Sequence, residues 1–253
     1  MSPASWIEHA PTGMTLKRIG ESDCEELGDG WLVQPVNALS SFSYVAVGLV
    51  VLAVAVRRGR ATLDAWVFAL LLAAVGLGSV AFHGPQLDGA RVMHDLPILL
   101  VVLYIVACDI ELVRGSSPSR WVLLVPSALA ATGLMIVSVD AGAVLTGLGV
   151  AALGVLEVIV YRRRLRDLDD RRRRRSAALV IAMAAIAAST WLLGRTDSPA
   201  REPGDVFQFH GLWHLLSAGV FGLWWWLATH GSRNDPQQPP LTAADSESSV
   251  RNA

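Results

Sequence analysis

Seven long apolar stretches restrict what this sequence can fold into. A membrane-spanning helix needs about 20 mostly apolar residues, because the hydrocarbon layer of a bilayer is about 30 Å thick. Hydrophobic residues make up 53% of the 253 positions and charged residues 17%, which favours lipid as the surroundings. The stretches cover residues 36–56, 63–83, 93–113, 120–138, 140–161, 176–194 and 207–229. They predict an all-α fold, an integral membrane bundle of seven transmembrane helices. Only Asp140 and Gly142 mark a turn between the fourth and fifth helices.

The distribution of arginine predicts the orientation in the membrane. Lysine and arginine collect in cytoplasmic loops. The loops after the first, third and fifth helices carry most of the arginines, with nine between Arg162 and Arg175. These loops share one side of the bundle, so we expect the N-terminus outside and the C-terminus in the cytoplasm. The nine-arginine loop can also bind anionic lipid headgroups, although topology alone accounts for it.

The polar ends of the chain predict its division. Residues 1–35 form an extracytoplasmic N-terminal segment, residues 36–230 the seven-helix domain, and residues 231–253 a disordered cytoplasmic tail rich in Ser, Pro, Gln and Asn. Six acidic residues precede the first long apolar run, unlike a cleavable signal peptide. The net charge of −1 gives no indication of a nucleic-acid partner. The high content of alanine and arginine suggests a bacterial cell membrane.

Neither cysteine has a plausible partner in the sequence. Cys24 lies in the aqueous N-terminal segment and Cys108 lies inside the third apolar stretch. A disulfide framework and a thiolate zinc site are therefore not expected.

Four of the six histidines are predicted to lie at one face of the bundle, where ionisable groups at membrane depth suggest a function. His83 ends the second helix, His94 begins the third, and His210 and His214 begin the seventh. Residues four apart share a helix face, so His210 and His214 can approach one ion. Three neutral imidazoles leave one tetrahedral position open, as in catalytic zinc sites. An interfacial, purely structural role for each histidine is the competing interpretation.

Two further residue types accompany these histidines. Ser79 precedes His83 by one helical turn, and Asp95 follows His94. A serine hydroxyl can donate to a developing oxyanion, and a carboxylate can accept a proton from water. These roles are consistent with hydrolysis at a metal centre.

The chain resembles the alkaline ceramidase family, within the CREST superfamily of seven-helix membrane hydrolases. Three segments carry the resemblance: Cys24-Glu25 with Gln34 to Ser40 and Tyr44, Ser79 to His83 with the acidic start of the third helix, and Phe209 to His214. The resemblance implies zinc held by His83, His210 and His214, with Ser79 and an aspartate beside it. It also implies hydrolysis of the amide bond of ceramide-like lipids to a sphingoid base and a fatty acid. An ungapped alignment puts His94 at the family's aspartate position, and we favour Asp95 with His94 sharing the work.

Calcium is a further cofactor that the resemblance brings into question. The eukaryotic enzymes bind calcium through an acidic N-terminal cluster, and Asp23, Glu25 and Glu26 are the residues here that can supply oxygens. Ser22, Leu27 and Gln34 stand at positions where oxygen-rich, largely acidic ligands are expected. We therefore favour a solvated acidic segment over a calcium site.

Other seven-helix functions fit the sequence less well. A retinal protein needs a lysine in its last helix, and the one lysine of the chain is Lys17 in the N-terminal segment. Histidines four apart on one helix do not give opposed axial ligands to one haem. The remaining alternatives are a receptor or scaffold with a structural metal, and a hydrolase of a different amide or ester lipid. The sequence does not say whether the protein has protein partners.

Overall fold

The computed structural model describes residue 20 and residues 23–114, 120–138, 140–166, 171–200, 204 and 206–230. The helices in these ranges are α1 (Pro35–Ser40), α2 (Phe42–Arg57), α3 (Leu63–His83), α4 (Ala90–Arg114), α5 (Arg120–Val137), α6 (Ala141–Arg166), α7 (Arg171–Leu193) and α8 (Phe209–His230). Each apolar stretch becomes helical, and the first is divided at Ser41 into α1 and α2. The predicted all-α fold is confirmed, including the turn between α5 and α6.

Most of the helices have the length and the surface of membrane spans. Within the described ranges, five segments are long and apolar enough to cross a bilayer: Pro35–Arg57, Leu63–His83, Ala90–Arg114, Arg120–Val137 and Ala141–Val160. A shorter apolar helix covers Ala177–Leu193. Large apolar side chains such as Leu129 and Ile136 are more than two-thirds exposed, at 72% and 71%. Such faces are expected where the solvent is lipid, so the chain is a helical membrane protein.

Helix α3 lies at the centre of the bundle. It packs between α2 and α4, α4 contacts α5 and α6, and α8 contacts α7, α2 and α1. Phe68 of α3 is fully buried against Tyr104 of α4 and Trp224 of α8. Gly78 brings α3 against the backbone of α4, because a Cβ atom at this position would overlap the carbonyl oxygen of Met93. This close approach holds the end of α3 beside the start of α4.

The segment before α1 crosses one end of the bundle and is attached on both sides. The backbone N–H of Cys24 donates to the carbonyl of Gly194, just after α7, at 2.8 Å. The backbone N–H of Gln34 donates to the carbonyl of His83, at the end of α3, also at 2.8 Å. Residues 23–34 therefore join the ends of two helices that are far apart in sequence. Both cysteines are free, as predicted.

The predicted ends of the chain stay predictions. Residues 1–19 of the N-terminal segment and the whole of the tail, 231–253, lie outside the described residues. The same is true of the loop from 167 to 170, in the middle of the arginine-rich region.

Candidate metal centre

Three histidines from two distant parts of the chain meet at one end of the bundle. His83 is the last residue of α3, and His210 and His214 lie in the first two turns of α8. The ring centroid of His83 lies 5.1 Å from that of His210 and 5.3 Å from that of His214. The centroids of the two rings on α8 are 4.7 Å apart. One potential ligand atom from each residue lies within 4.8 Å of the other two. The three imidazoles are therefore close enough to bind one metal ion.

Hydrogen bonds define which nitrogen of His83 is free for a ligand. Its Nδ1 lies 2.7 Å from Oε1 of Gln34, and an amide oxygen only accepts. The proton therefore belongs on Nδ1, which leaves the lone pair on Nε2. The His83 side chain is completely buried, so this choice is made by the protein and not by water.

Hydrogen bonds also define which nitrogen of His214 carries the proton. Its Nδ1 lies 2.9 Å from Oγ of Ser40 and 3.3 Å from Oγ of Ser41. Both hydroxyl groups already donate to the carbonyl oxygen of Asn37. Because each hydroxyl has one proton, the serine oxygens are left as acceptors and Nδ1 of His214 is the donor. Its Nε2 is again the atom with a lone pair.

Asp23 faces the other side of the histidine group. Its Oδ1 lies 3.4 Å from Nδ1 of His210, and its Oδ2 lies 3.9 Å from Nδ1 of His83. The contact with His210 falls outside hydrogen-bond geometry, so it is an electrostatic approach. Asp23 is nonetheless 7% exposed, and a carboxylate buried beside two rings favours positive charge at this point.

The donor set fits a metal ion. Among the described residues, Nε2 of His83 and both ring nitrogens of His210 are buried without a hydrogen-bond partner. An unpaired buried polar group costs about 1–3 kcal/mol. Several such atoms in one place are unfavourable unless something binds them. Three neutral imidazoles are the ligand set of catalytic zinc, with one position of the tetrahedron left for water or substrate.

Ser79 lies one turn before His83 on the same face of α3. The residue is 1% exposed, and its Oγ has no hydrogen-bond partner among the residues that the structure describes. A buried hydroxyl next to an ion site is available to donate to a substrate oxygen.

His94 and Asp95 form a hydrogen-bonded pair at the start of α4. Nδ1 of His94 lies 2.7 Å from Oδ1 of Asp95. The His94 ring stacks on Phe82 at 4.5 Å, and its centroid is 5.7 Å from that of His83. His94 is close enough to interact electrostatically with all three histidines of the cluster, whereas Asp95 packs directly against Gly142 of α6. The histidine therefore lies beside the cluster, and the aspartate lies between this histidine and Gly142 of α6.

The three acidic residues considered for calcium face different surroundings. Both carboxylate oxygens of Glu25 accept backbone N–H groups, from Val36 at 2.7 Å and Asn37 at 2.8 Å. Burial raises the pKa of Glu25, and these two hydrogen bonds partly oppose the shift. Asp23 faces the histidines and Glu26 is exposed. Among the described residues, the three histidines are the one group of potential ligands found close enough to share an ion. The interpretation as a solvated segment fits Glu26 but is wrong for the buried Asp23 and Glu25.

Several residues that contact the histidine rings could not be recognised from the sequence. Gln34, Ser40 and Ser41 hold ring nitrogens of the histidines but were given no role. Asp23 was considered for a different ion. The sequence carried one signal, the polar residues Gln34, Asn37, Ser40 and Ser41 at the start of an apolar stretch.

Comparison with known proteins gives the family. The family model for ceramidase matches residues 32–242, which include all three histidines of the cluster. The chain belongs to the ceramidase family. No curated protein matches it. The predicted resemblance is thus confirmed, and membership supports a membrane enzyme that hydrolyses the amide bond of ceramide. Asp23 and Glu25 of this ceramidase-family protein lie before the matched region.

Proposed function

We propose that this protein is a zinc-dependent membrane amidase that hydrolyses ceramide-like lipids to a sphingoid base and a fatty acid. The observation that carries the proposal is the group of three buried histidines, His83, His210 and His214. One potential ligand atom from each lies within 4.8 Å of the other two. In two of them Nδ1 is the donor to a defined partner, so Nε2 is the atom left for an ion. Three neutral nitrogen ligands match zinc better than the oxygen-seeking ions calcium and magnesium.

Zinc in this site would supply an activated water and would polarise the amide carbonyl. The protein's own residues orient and stabilise the reacting groups. The Ser79 hydroxyl is free to donate to the carbonyl oxygen as negative charge develops on it. Because this hydroxyl is buried, it does not have to give up hydrogen bonds to bulk water before it donates to the substrate.

We assign proton transfer to the pair formed by His94 and Asp95. The carboxylate of Asp95 accepts the N–H of His94 Nδ1, so Nε2 of His94 is the atom that takes a proton from the attacking water. The same atom then gives the proton to the leaving amine nitrogen. The side chains of His94 and Asp95 are 17% and 24% exposed, which keeps the pair accessible to substrate. In this arrangement Asp95 orients and His94 transfers.

The position of the site suits a lipid amide. The amide of a ceramide lies between its headgroup and its two chains, near the membrane interface. The histidines lie at the end of α3 and the start of α8, so this bond can meet the site while the chains stay in the bilayer. The arginine distribution supports placing this end outside and the C-terminus in the cytoplasm. An N-terminal tag should be removed by protease added to intact cells while a C-terminal tag is protected; the reverse result would contradict this orientation.

A turnover assay tests the proposed activity. Purified protein should hydrolyse a short-chain fluorescent ceramide, lose activity when a chelator removes its zinc, and regain it when zinc is returned. His210→Ala should abolish turnover. Leu215→Ala is the matched control, because this neighbour on α8 is 53% exposed and is not one of the three clustered histidines.

Three outcomes separate the alternatives. Turnover that survives zinc removal or His210→Ala would end the metal mechanism. Zinc-dependent cleavage of another amide or ester lipid, with ceramide left intact, would keep the centre and replace the substrate. Tight zinc binding without any hydrolysis would instead favour a receptor or scaffold.

A further inference from the structure

We propose that Asp23 and Gln34 are positioning residues of the metal centre, so that the segment before α1 sets the zinc affinity of a site whose ligands all lie elsewhere. The inference rests on the metal of the proposed function. It concerns residues that bind no metal themselves and act through His83 and His210.

Gln34 is fixed in one orientation by three hydrogen bonds. Its Nε2 donates to the carbonyl oxygens of Gly20 at 3.1 Å and Glu25 at 3.0 Å. A flipped amide would place its oxygen against those two carbonyls, so Oε1 must face His83. The side chain is 0% exposed, and no water competes for these bonds. Gln34 thus determines both the tautomer and the rotation of the His83 ring.

The segment leaves no room for a different arrangement at this point. Gly20 has a φ of +77°, and a Cβ atom there would lie 2.5 Å from Oε1 of Gln34. Glycine therefore allows the chain to pass directly against the amide. The segment and the glutamine side chain are built as one unit around the His83 ring.

Asp23 is held in place from the other side. The hydroxyl of Thr196 donates to its backbone carbonyl at 3.2 Å, and Asp23 forms a β-bridge with Arg195. These contacts fix the backbone where its carboxylate approaches His210 and His83. A divalent ion bound by three neutral rings keeps its full charge. The buried carboxylate, 3.4 Å from Nδ1 of His210, offsets part of that charge and favours a proton on Nδ1, which leaves Nε2 of His210 for the ion.

The effect of losing these partners follows from other metal sites. Removing an outer partner of a ligating histidine typically weakens metal affinity by about 10–100-fold. We expect Asp23→Asn and Gln34→Ala each to weaken zinc binding in this range. Glu26→Gln is the matched control, because it removes an exposed carboxylate from the same segment. Gln34→Glu keeps an acceptor oxygen for His83 but loses both donors to Gly20 and Glu25.

The experiment is a competition titration of the full-length, zinc-free protein with a chromophoric zinc chelator. Thermal unfolding of the metal-free proteins shows whether each variant is folded. We expect weaker zinc binding in Asp23→Asn and Gln34→Ala, an unchanged dissociation constant in Glu26→Gln, and a cobalt(II) spectrum altered in the first two. Zinc affinities within about twofold of the wild type, in folded variants, would overturn the proposal.

The two proposals can fail separately. A wild-type protein that binds no zinc would remove the proposed function. Tight zinc binding in the wild type and equally in both variants would remove only the positioning roles. If Gln34→Ala fails to fold, Asp23→Asn alone decides, because that change keeps the size of the side chain.

Discussion

Replacement of Ser79 by alanine should lower activity without lowering stability. The Oγ of Ser79 has no hydrogen-bond partner among the residues described and is buried at 1% exposure. The two effects of the substitution should therefore point in opposite directions.

The magnitudes follow from this environment. A buried hydroxyl without a partner costs about 1–3 kcal/mol, so its removal should leave the free energy of unfolding unchanged or raise it by about 1 kcal/mol. Loss of one donor to a developing oxyanion costs about 100- to 1000-fold in kcat. Zinc content should not change, because Ser79 makes no hydrogen bond to any of the three histidines.

The assay combines turnover of the fluorescent ceramide with thermal unfolding in the same detergent. Ser189→Ala is the control, since this serine on α7 is exposed and donates only to a backbone carbonyl of its own helix. A Ser79→Ala protein with near wild-type kcat would refute the oxyanion role. A strongly destabilised one would show that the hydroxyl has a structural partner.

Three further changes test other parts of the account. Asp95→Asn should lower kcat by about 100- to 10,000-fold at unchanged zinc content, because the orienting carboxylate for proton transfer is lost; the exposed Asp88→Asn should have no effect in the same assay, and equal activities would contradict the pair. Gly78→Ala should lower the free energy of unfolding by about 1–3 kcal/mol, because its Cβ meets the backbone of α4. Gly147→Ala, with open space around it, should unfold like the wild type, and equal stability of the two variants would count against the packing. Since burial raises the pKa of Glu25, ionising it costs folding free energy, so the wild type should lose stability relative to Glu25→Gln as pH rises above 4.5; a parallel pH dependence of the two unfolding temperatures would contradict this.

The helices and the three candidate ligands could be predicted because their signals are local. Each span is a continuous apolar run, and His210 and His214 share a helix face by spacing alone. His83 was placed with them because a topology of alternating helices puts the end of α3 and the start of α8 on one side. Hydropathy and helical period are therefore enough for the fold and for the grouping of the three histidines.

The residues that support those ligands could not be predicted in the same way. Gln34 bonds to the ring of His83, 49 positions away, and Asp23 approaches the ring of His210. Both residues belong to a segment with no regular period. Loop segments of this kind have no pattern that says which way a side chain points. Asp95 was favoured as the residue facing the site, but a one-residue difference around the helix brings the His94 ring beside His83.

The hydrogen-bond partners of carboxylates within the membrane spans are also not predictable from the sequence. Glu157 lies on α6, and its Oε1 accepts the indole N–H of Trp224 at 2.8 Å. That hydrogen bond joins α6 and α8 through two residues 67 positions apart, and no spacing within either helix predicts it. Trp224, at 9% exposure, therefore packs inside the bundle.

Elemental analysis of the gently purified wild-type protein tests the central claim most directly. We expect one zinc ion for each chain, retained through purification and absent from a His83→Ala variant that is still folded. A folded wild-type protein that contains no zinc, and takes up none when zinc is supplied, would contradict this claim.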